Sequence, residues 1–370
     1  MSDLHGCRVC LVLLTGLGDV VHGLPIVNAL KRAGVAHLTW VAEPAPSWIV
    51  RPHPAVDEVV VYHKKRGWRG VAQLASDLRG RAFDVTLNLN IYFKSIWPTT
   101  LARAPRRIGF DRARSRDGVW LFANEHLRSR PRAHTQDMFL EFLEHLRIGA
   151  YTRTVPGARV RPGSVLRTDQ DEPTAPLEWN ITFTPEEFAA QHRHFAPLRD
   201  SPVVAIVPAS ANAKKDWFAD RWSAVIDALA AQYGARALIV GGPSAREREI
   251  AHTIVRGCTS APRVALADDV RRMMWLVAGS DLVIAPDTGP VHIARACEVP
   301  VVGLYGHTNP WRVGPYRKYE DLWIDRYTEP DGPPDPSNAT PRDGRMERIT
   351  VDDVMERVAR AFEHYAVGRR

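Results

Sequence analysis

The sequence predicts an α/β protein of two Rossmann-like domains, each a parallel sheet with helices on both faces. Three observations carry this expectation. Short apolar, β-rich runs alternate with helical stretches from Arg8 to Leu146, the pattern of repeated βαβ units. The alternation stops in a stretch rich in Pro, Gly, Arg and Asp, about 152 to 180, and restarts at Pro202. The length of 370 residues provides for two such domains with a core each.

In chain order, Arg8–Leu14, His37–Val41, Glu58–Tyr62 and Val85–Asn90 read as strands. Leu24–Arg32, with Pro25 early in it, Leu74–Arg79 and the amphipathic Thr135–Leu146 read as helices. In the second half Val203–Val207, Ala237–Val240, Leu282–Ala285 and Val301–Tyr305 are strands, and Arg221–Tyr233, Ala245–Val255 and Asp269–Ala278 are helices. A last helix, Val351–Tyr365, stands apart behind a Pro- and Asp-rich segment, 328 to 344. The expected layout is an N-terminal domain over 1–165, a linker region over 166–200, a second domain over 201–345 and a terminal helix in 346–370. Two such domains leave an interdomain cleft with strand ends facing it from both sides, which suits two substrates.

Composition narrows the class. Apolar residues make up 45% and charged residues 25%, ordinary for a globular protein. The formal net charge of +7 favours an acidic partner: nucleic acid, an anionic membrane or a phosphorylated substrate. No segment has the apolar length of a transmembrane helix, and the run Val9–Leu14 is too short for a signal peptide. A cytoplasmic protein is expected. Cys7 and Cys10 form a C-x-x-C, but three residues apart on a strand they face opposite sides of the sheet, and Cys258 and Cys297 lack ligand-pair spacing. They read as structural thiols, with no metal.

Three turns carry candidate chemistry. Asp287-Thr288-Gly289-Pro290 lies between two buried strands and opens a helix carrying His292. With Pro290 at the first helical position, Thr288 and Gly289 present backbone N–H groups at a helix N-terminus, an anion site suited to phosphate. The plain alternative is a βα turn with Asp or Thr as the cap. Thr15-Gly16-Leu17-Gly18-Asp19 follows the first strand; it lacks G-x-G-x-x-G because Val21 takes the last glycine position. Asp19 is there either a turn residue or a general base. Pro208 to Trp217 follows the first strand of the second domain and contains Ser210, Lys214 and Lys215, small and cationic enough for a phosphate or merely a solvated loop.

The segments L-T-G-L-G-D-V-V-H-G-L-P (14–25), K-K-D-W (214–217), P-D-T-G-P-V-H-I-A-R-A (286–296) and G-L-Y-G-H-T-N-P-W-R-V-G-P-Y (303–316) occur in that order. Together they resemble glycosyltransferase family nine, the ADP-heptose:lipopolysaccharide heptosyltransferases, from about residue 8 to 316. The resemblance implies the GT-B fold, with the last helix crossing back to the N-terminal domain. It implies inverting, metal-independent transfer of a sugar, heptose, from an ADP-sugar to an anionic inner-core lipopolysaccharide acceptor. It makes Asp19 the catalytic base, Lys215 the pyrophosphate lysine, Ser210 a phosphate-contacting hydroxyl, and Asp287, Thr288, Gly289 and His292 the donor-binding motif.

The pattern is also broken in places. Ser244 stands where the family often has a ribose-binding Glu, with Glu247 and Glu249 further on. Asn88 to Ser95 retains only Lys94-Ser95 of D-x-Q-G-L-x-K-S, and Gly306-His307-Thr308-Asn309-Pro310 replaces G-P-T-D-P. Asp169-Gln170-Asp171 is a D-x-D in the linker, read as solvated polar chain. The acceptor is expected to be gripped by Lys65, Arg66 and Arg69 of the basic run 64–69, by Lys94, and by the run Arg103 to Arg116. No nucleic-acid motif accompanies these runs. The expected place of work is the cytoplasm, peripheral at the inner face of the membrane where the glycolipid lies. Other readings of the scaffold are a transferase with a different nucleotide sugar or acceptor, a nucleotide-sugar epimerase, and a non-catalytic binder.

Overall fold

A computed structural model describes residues 4–149 and 177–368. They form two compact units, one containing residues 4–149 and 177–182, the other residues 183–368. The expected D-x-D at 169–171 lies outside the described residues.

The first unit is a six-stranded sheet in the order β3-β2-β1-β4-β5-β6, made of β1 (Arg8–Val12), β2 (His37–Ala42), β3 (Glu58–Val61), β4 (Val85–Asn88), β5 (Arg106–Gly109) and β6 (Glu125–His126). Every pairing is parallel, so all the strand–helix turns lie at one edge. The helices are α1 (Leu17–Arg32), α2 (Pro44–Val50), α3 (Trp68–Leu78), α4 (Ile96–Leu101) and α5 (Thr135–His145). The strands are buried on both faces, as Val9, Leu11 and Val12 are in β1.

Helix α1 starts at Leu17, seven residues before the expected Leu24, and Pro25 lies within it. An interior proline costs about 3 kcal/mol through its lost N–H bond and ring clash. Burial of Val20 through Leu30 outweighs it, since each buried Val, Leu or Ile contributes roughly 1.5–3 kcal/mol. Gly23 allows this close packing, because a Cβ there would sit 2.6 Å from the Trp40 ring. The earlier start puts Asp19 in the first helical turn.

The second unit repeats the architecture, with strand order β12-β11-β10-β7-β8-β9 and all pairings parallel. Its strands are β7 (Val203–Ile206), β8 (Arg236–Gly241), β9 (Arg263–Leu266), β10 (Leu282–Pro286), β11 (Val301–Tyr305) and β12 (Ile324–Asp325). Its helices are α6 (Pro185–Phe195), α7 (Ala219–Tyr233), α8 (Ala245–Gly257), α9 (Val270–Gly279), α10 (Gly289–Ala296), α11 (Pro310–Val313) and α12 (Val351–His364). Helix starts follow the chain's own caps: Ser244 accepts from Glu247 N–H, Asp269 from Arg272 N–H, and Thr350 and Asp353 form a capping box.

Two helices outside the expected 201–345 span belong to the second unit. The 166–200 linker contains α6, which belongs to the second unit and packs on α9; Glu187 on α6 holds Arg271 on α9. The terminal helix α12 packs on α7, β11 and β12 of the second unit, with Phe362 stacked on Tyr233 at 4.2 Å. Its apolar stripe of Val354, Val358 and Ala361 is fully buried there.

Candidate active site

Both sheets present their chemistry at the carboxyl edge, where parallel strands end and helices begin. In the second unit β10 ends at Pro286 and α10 begins at Gly289, with Thr288 at the N-cap. Pro290 is the second helical residue, not the first as expected. Thr288 makes no side-chain cap bond, so its hydroxyl is not committed to closing the helix, as the plain capping reading required.

Asp287 is the centre of this turn. It is 8% exposed, and its Oδ2 accepts a 2.6 Å hydrogen bond from Lys215 Nζ. His292 Nε2, one turn into α10, lies 3.9 Å from Oδ1. Burial alone would raise the carboxyl pKa; the adjacent His292 and Lys215 outweigh it and hold the group well below the ordinary range. Asp287 is therefore a fixed anion that anchors the lysine. The β10–β11 register pairs Pro286 with Leu304 and sets Tyr305 alongside. The buried Tyr305 phenol has no hydrogen-bond partner among the described residues, and burial, then the Asp287 charge, pushes its pKa well above the usual value.

Lys215 closes a short turn, Ala213–Lys215, after β7. That turn is built by its own polar groups. Ser210 Oγ donates to Asn212 O (2.7 Å), and Ser210 N–H donates to Asp216 (2.8 Å). Arg246 bridges Asp216 and Ser210 O. The Ser210 hydroxyl thus shapes the loop that carries Lys215. His307, where the family pattern has Pro, is buried; it contacts Asn212 Nδ2 (3.3 Å), Arg342 O (3.1 Å) and Asp343 (3.2 Å). The preceding Gly306 is required by close approach: a Cβ would meet the Arg345–Met346 backbone at 2.6 Å. Glu247 is turned onto the glycine turn after β8, accepting from Gly242 N–H (2.7 Å) and the Ser244 hydroxyl (2.5 Å).

In the first unit Asp19 is half-buried in the first turn of α1, just past the end of β1. A carboxylate there faces unsatisfied helix N–H groups, a favourable arrangement. Asn90 clamps the chain ahead of this turn, accepting from Leu14 N–H (2.9 Å) and donating to Val12 O (2.8 Å). Lys94 is also half-buried, and its Nζ lies 3.1 Å from Glu43 Oε1. Burial lowers its pKa, opposed by Glu43 and, further off, by Asp19. The same Glu43 oxygen takes Lys64 Nζ at 2.7 Å. One carboxylate thereby ties together the turns after β2, β3 and β4.

Glu43 is a residue whose sequence neighbours, Pro44 and Pro46, point to a loop and away from a role; Pro44 instead opens α2 and Glu43 is its N-cap residue. Proline in the first turn is compatible with a helix start.

Lys65, Arg66 and Arg69 are exposed on the turn into α3. The structure ties the basic turn to Lys94 through Glu43, which holds Lys64 and Lys94 on one oxygen. The Arg103 to Arg116 run is a correction: much of it is structural. Arg106 pairs with Glu125 (2.7 Å), Arg107 bonds the Phe122 and Ala104 carbonyls, and Arg114 is buried between Asp111 (2.5 Å) and Glu141 (2.6 Å). All four cysteines are free, and burial pushes the Cys10 thiol up to about 12.

The two units, each an all-parallel sheet with flanking helices, have the GT-B fold, and the family match makes the chain a glycosyltransferase. Residues 71–331 match glycosyltransferase family 9 (heptosyltransferase), and the chain belongs to that family. It is 28% identical over 318 residues to the lipopolysaccharide core heptosyltransferase OpsX of Haemophilus influenzae, covering 85% of this chain and 83% of that protein. It is 27% identical over 324 residues to lipopolysaccharide heptosyltransferase 1 of Pseudomonas aeruginosa, covering 84% and 81%. Among solved structures, a family 9 glycosyltransferase from Veillonella parvula superposes with a TM-score of 0.79 at 21% identity, over 98% of this chain and 99% of that one. The E. coli heptosyltransferase WaaC with ADP gives 0.67 at 21%, over 96% and 98%. Among the described residues no helix is long and apolar enough to cross a membrane.

Proposed function

We propose that this enzyme transfers heptose from ADP-heptose to an anionic inner-core lipopolysaccharide acceptor, inverting the anomeric centre. The observation that carries the reading is the Lys215–Asp287 pair at the start of α10, within a family whose relatives match along more than four-fifths of the chain. A diphosphate needs neutralisation as it leaves. Lys215 offers a positive charge, and the N-terminus of α10 offers N–H donors beside Thr288 and Gly289. Ser210 holds the lysine loop in shape and His292 steadies Asp287. In the reaction Asp19 takes the proton of the acceptor hydroxyl, that oxygen attacks the anomeric carbon, and the bond from that carbon to the diphosphate breaks to release ADP. With the leaving charge met by these groups, this chemistry calls for no bound metal or cofactor.

Lys65, Arg66, Arg69 and Lys94 are the groups we assign to the acceptor's carboxylates and phosphates. The enzyme would work in the cytoplasm at the inner face of the membrane. The test is to incubate the purified chain with ADP-heptose and a delipidated inner-core acceptor. ADP release coupled to an extended acceptor of inverted anomeric configuration is expected. Donor turnover without acceptor would point to an epimerase instead.

A further inference from the structure

We propose that the carboxyl edge of the first sheet is a docking surface for an anionic phospholipid bilayer, with Trp68 and Phe93 as its inserting side chains. The inference rests on the reading of the acceptor as an anionic glycolipid, and it names the part of the chain that meets the lipid around it. Eight large hydrophobic side chains are exposed among the described residues, and three of them are here: Trp68 at 74%, Phe93 at 52% and Tyr92 at 38%. Scattered exposed apolar side chains are ordinary, whereas a cluster of them marks a surface with a partner.

The cluster is held together. Because β2, β3 and β4 are parallel neighbours of β1 or of one another, their following turns share one edge. Glu43 ties those turns through Lys64 and Lys94. Trp68 packs edge-on against Trp97 at 5.2 Å. The turn after β5 joins in, as Arg116 N–H donates to Ile91 O (2.8 Å) and its guanidinium lies over Tyr92. Gly67 adopts a left-handed φ of 54°, and Gly70 has no room for a side chain against the His63 carbonyl. Trp68 is therefore displayed on a shaped turn.

The charge pattern selects a bilayer. Lys65, Arg66 and Arg69 flank Trp68, all of them cationic. Trp and Tyr settle at the headgroup level, where their rings are apolar and their edges wet. A Lys or Arg near an anionic surface contributes roughly a fivefold gain in partitioning. A platform for stacking sugars would place carboxylates, amides or hydroxyls beside the ring to bind sugar hydroxyls. The Lys64–Gly70 turn contains none; of the carboxylates at this edge, Glu43 is taken by Lys64 and Lys94, and Asp117 accepts from Phe93 N–H at 3.5 Å.

The experiment is co-sedimentation of the full chain, without acceptor, with vesicles of phosphatidylcholine alone or mixed with phosphatidylglycerol, at low and high salt. The wild type should bind the anionic vesicles, bind neutral ones far less, and be released by salt. W68S/F93S should lower the vesicle partition coefficient about tenfold or more, given the area two exposed aromatics would bury. Its Tm should match wild type, and its transfer to a delipidated acceptor should be unchanged. Absence of wild-type binding to anionic vesicles, or equal binding by W68S/F93S, overturns the proposal. A variant that keeps vesicle binding but loses the delipidated acceptor also overturns it, and assigns these rings to sugar stacking. Because vesicle binding is read without acceptor, a wild type that binds vesicles but transfers no heptose supports the surface and counts against the proposed reaction.

Discussion

The carboxyl edges of the two sheets are built from the same architecture and use charge in opposite ways. In the second unit the key charges are few and internal: Asp287 is buried, Lys215 is pinned to it at 2.6 Å, and His292 stands 3.9 Å away. In the first unit the charges are many and outward: Lys65, Arg66 and Arg69 are exposed, and only Lys94 and Lys64 are gathered, by Glu43. A pre-positioned ion pair with its carboxylate buried and its lysine half-buried has little freedom left to lose and suits a small ligand of fixed geometry, such as a diphosphate. A set of mobile surface cations suits a large polyanion whose charges need attraction more than fixed geometry. We take the contrast to be a division of labour between donor and acceptor.

The largest expected effect belongs to Asp19. Asp19→Asn retains the shape of the turn and cannot take a proton, so kcat should fall by about two to four orders of magnitude. Donor affinity and Tm should barely move; a variant with near wild-type turnover would remove Asp19 from the mechanism. Next comes the Lys215–Asp287 pair. Lys215→Ala should weaken ADP binding by about ten- to hundredfold, the scale of a charged contact to phosphate, measurable by calorimetry. Thr288→Ala should do less, since the backbone N–H groups of α10 stay.

How much of this was readable beforehand divides along the same line. The second unit's site is coded locally. Asp287, Thr288, Gly289 and His292 lie within six residues, and a strand–turn–helix pattern places them. What the sequence could not show there was that Asp287 would hold Lys215, 72 positions away. In the first unit four of the six strands were legible, and so was the place of Asp19 just past β1. β5 and β6 were not, being a four-residue strand inside the basic run and a two-residue strand beyond it. α1 was read too short, because Pro25 weighs locally against a helix that tertiary burial then stabilises. Glu43 was unreadable in its role, since its partners Lys64 and Lys94 are 21 and 51 residues off. Arg114 looked like one more surface cation until burial beside Asp111 and Glu141 made it structural. Sequence patterns report turns and periods; they do not report which distant charges meet.

Glu43 offers a sharper test of the first unit's edge. Burial depresses the Lys94 pKa and Glu43 opposes that shift. Glu43→Gln removes the opposition, so Lys94 should lose its proton at lower pH than in the wild type. The acceptor KM should then begin its alkaline rise at lower pH, while the donor Kd stays level. A fold defect alone would move both constants at every pH. The smallest effect is expected at the exposed cations. Arg66→Glu with Arg69→Glu should raise the acceptor KM by about tenfold at low salt, and the difference should fade at high salt as screening removes it.

The division of labour itself is tested most directly by measuring ADP affinity calorimetrically in two variants, Lys215→Ala and the Arg66→Glu/Arg69→Glu pair. The account predicts a Kd raised about ten- to hundredfold in the first and unchanged from wild type in the second. Equal weakening in both, or no weakening in Lys215→Ala, would contradict it.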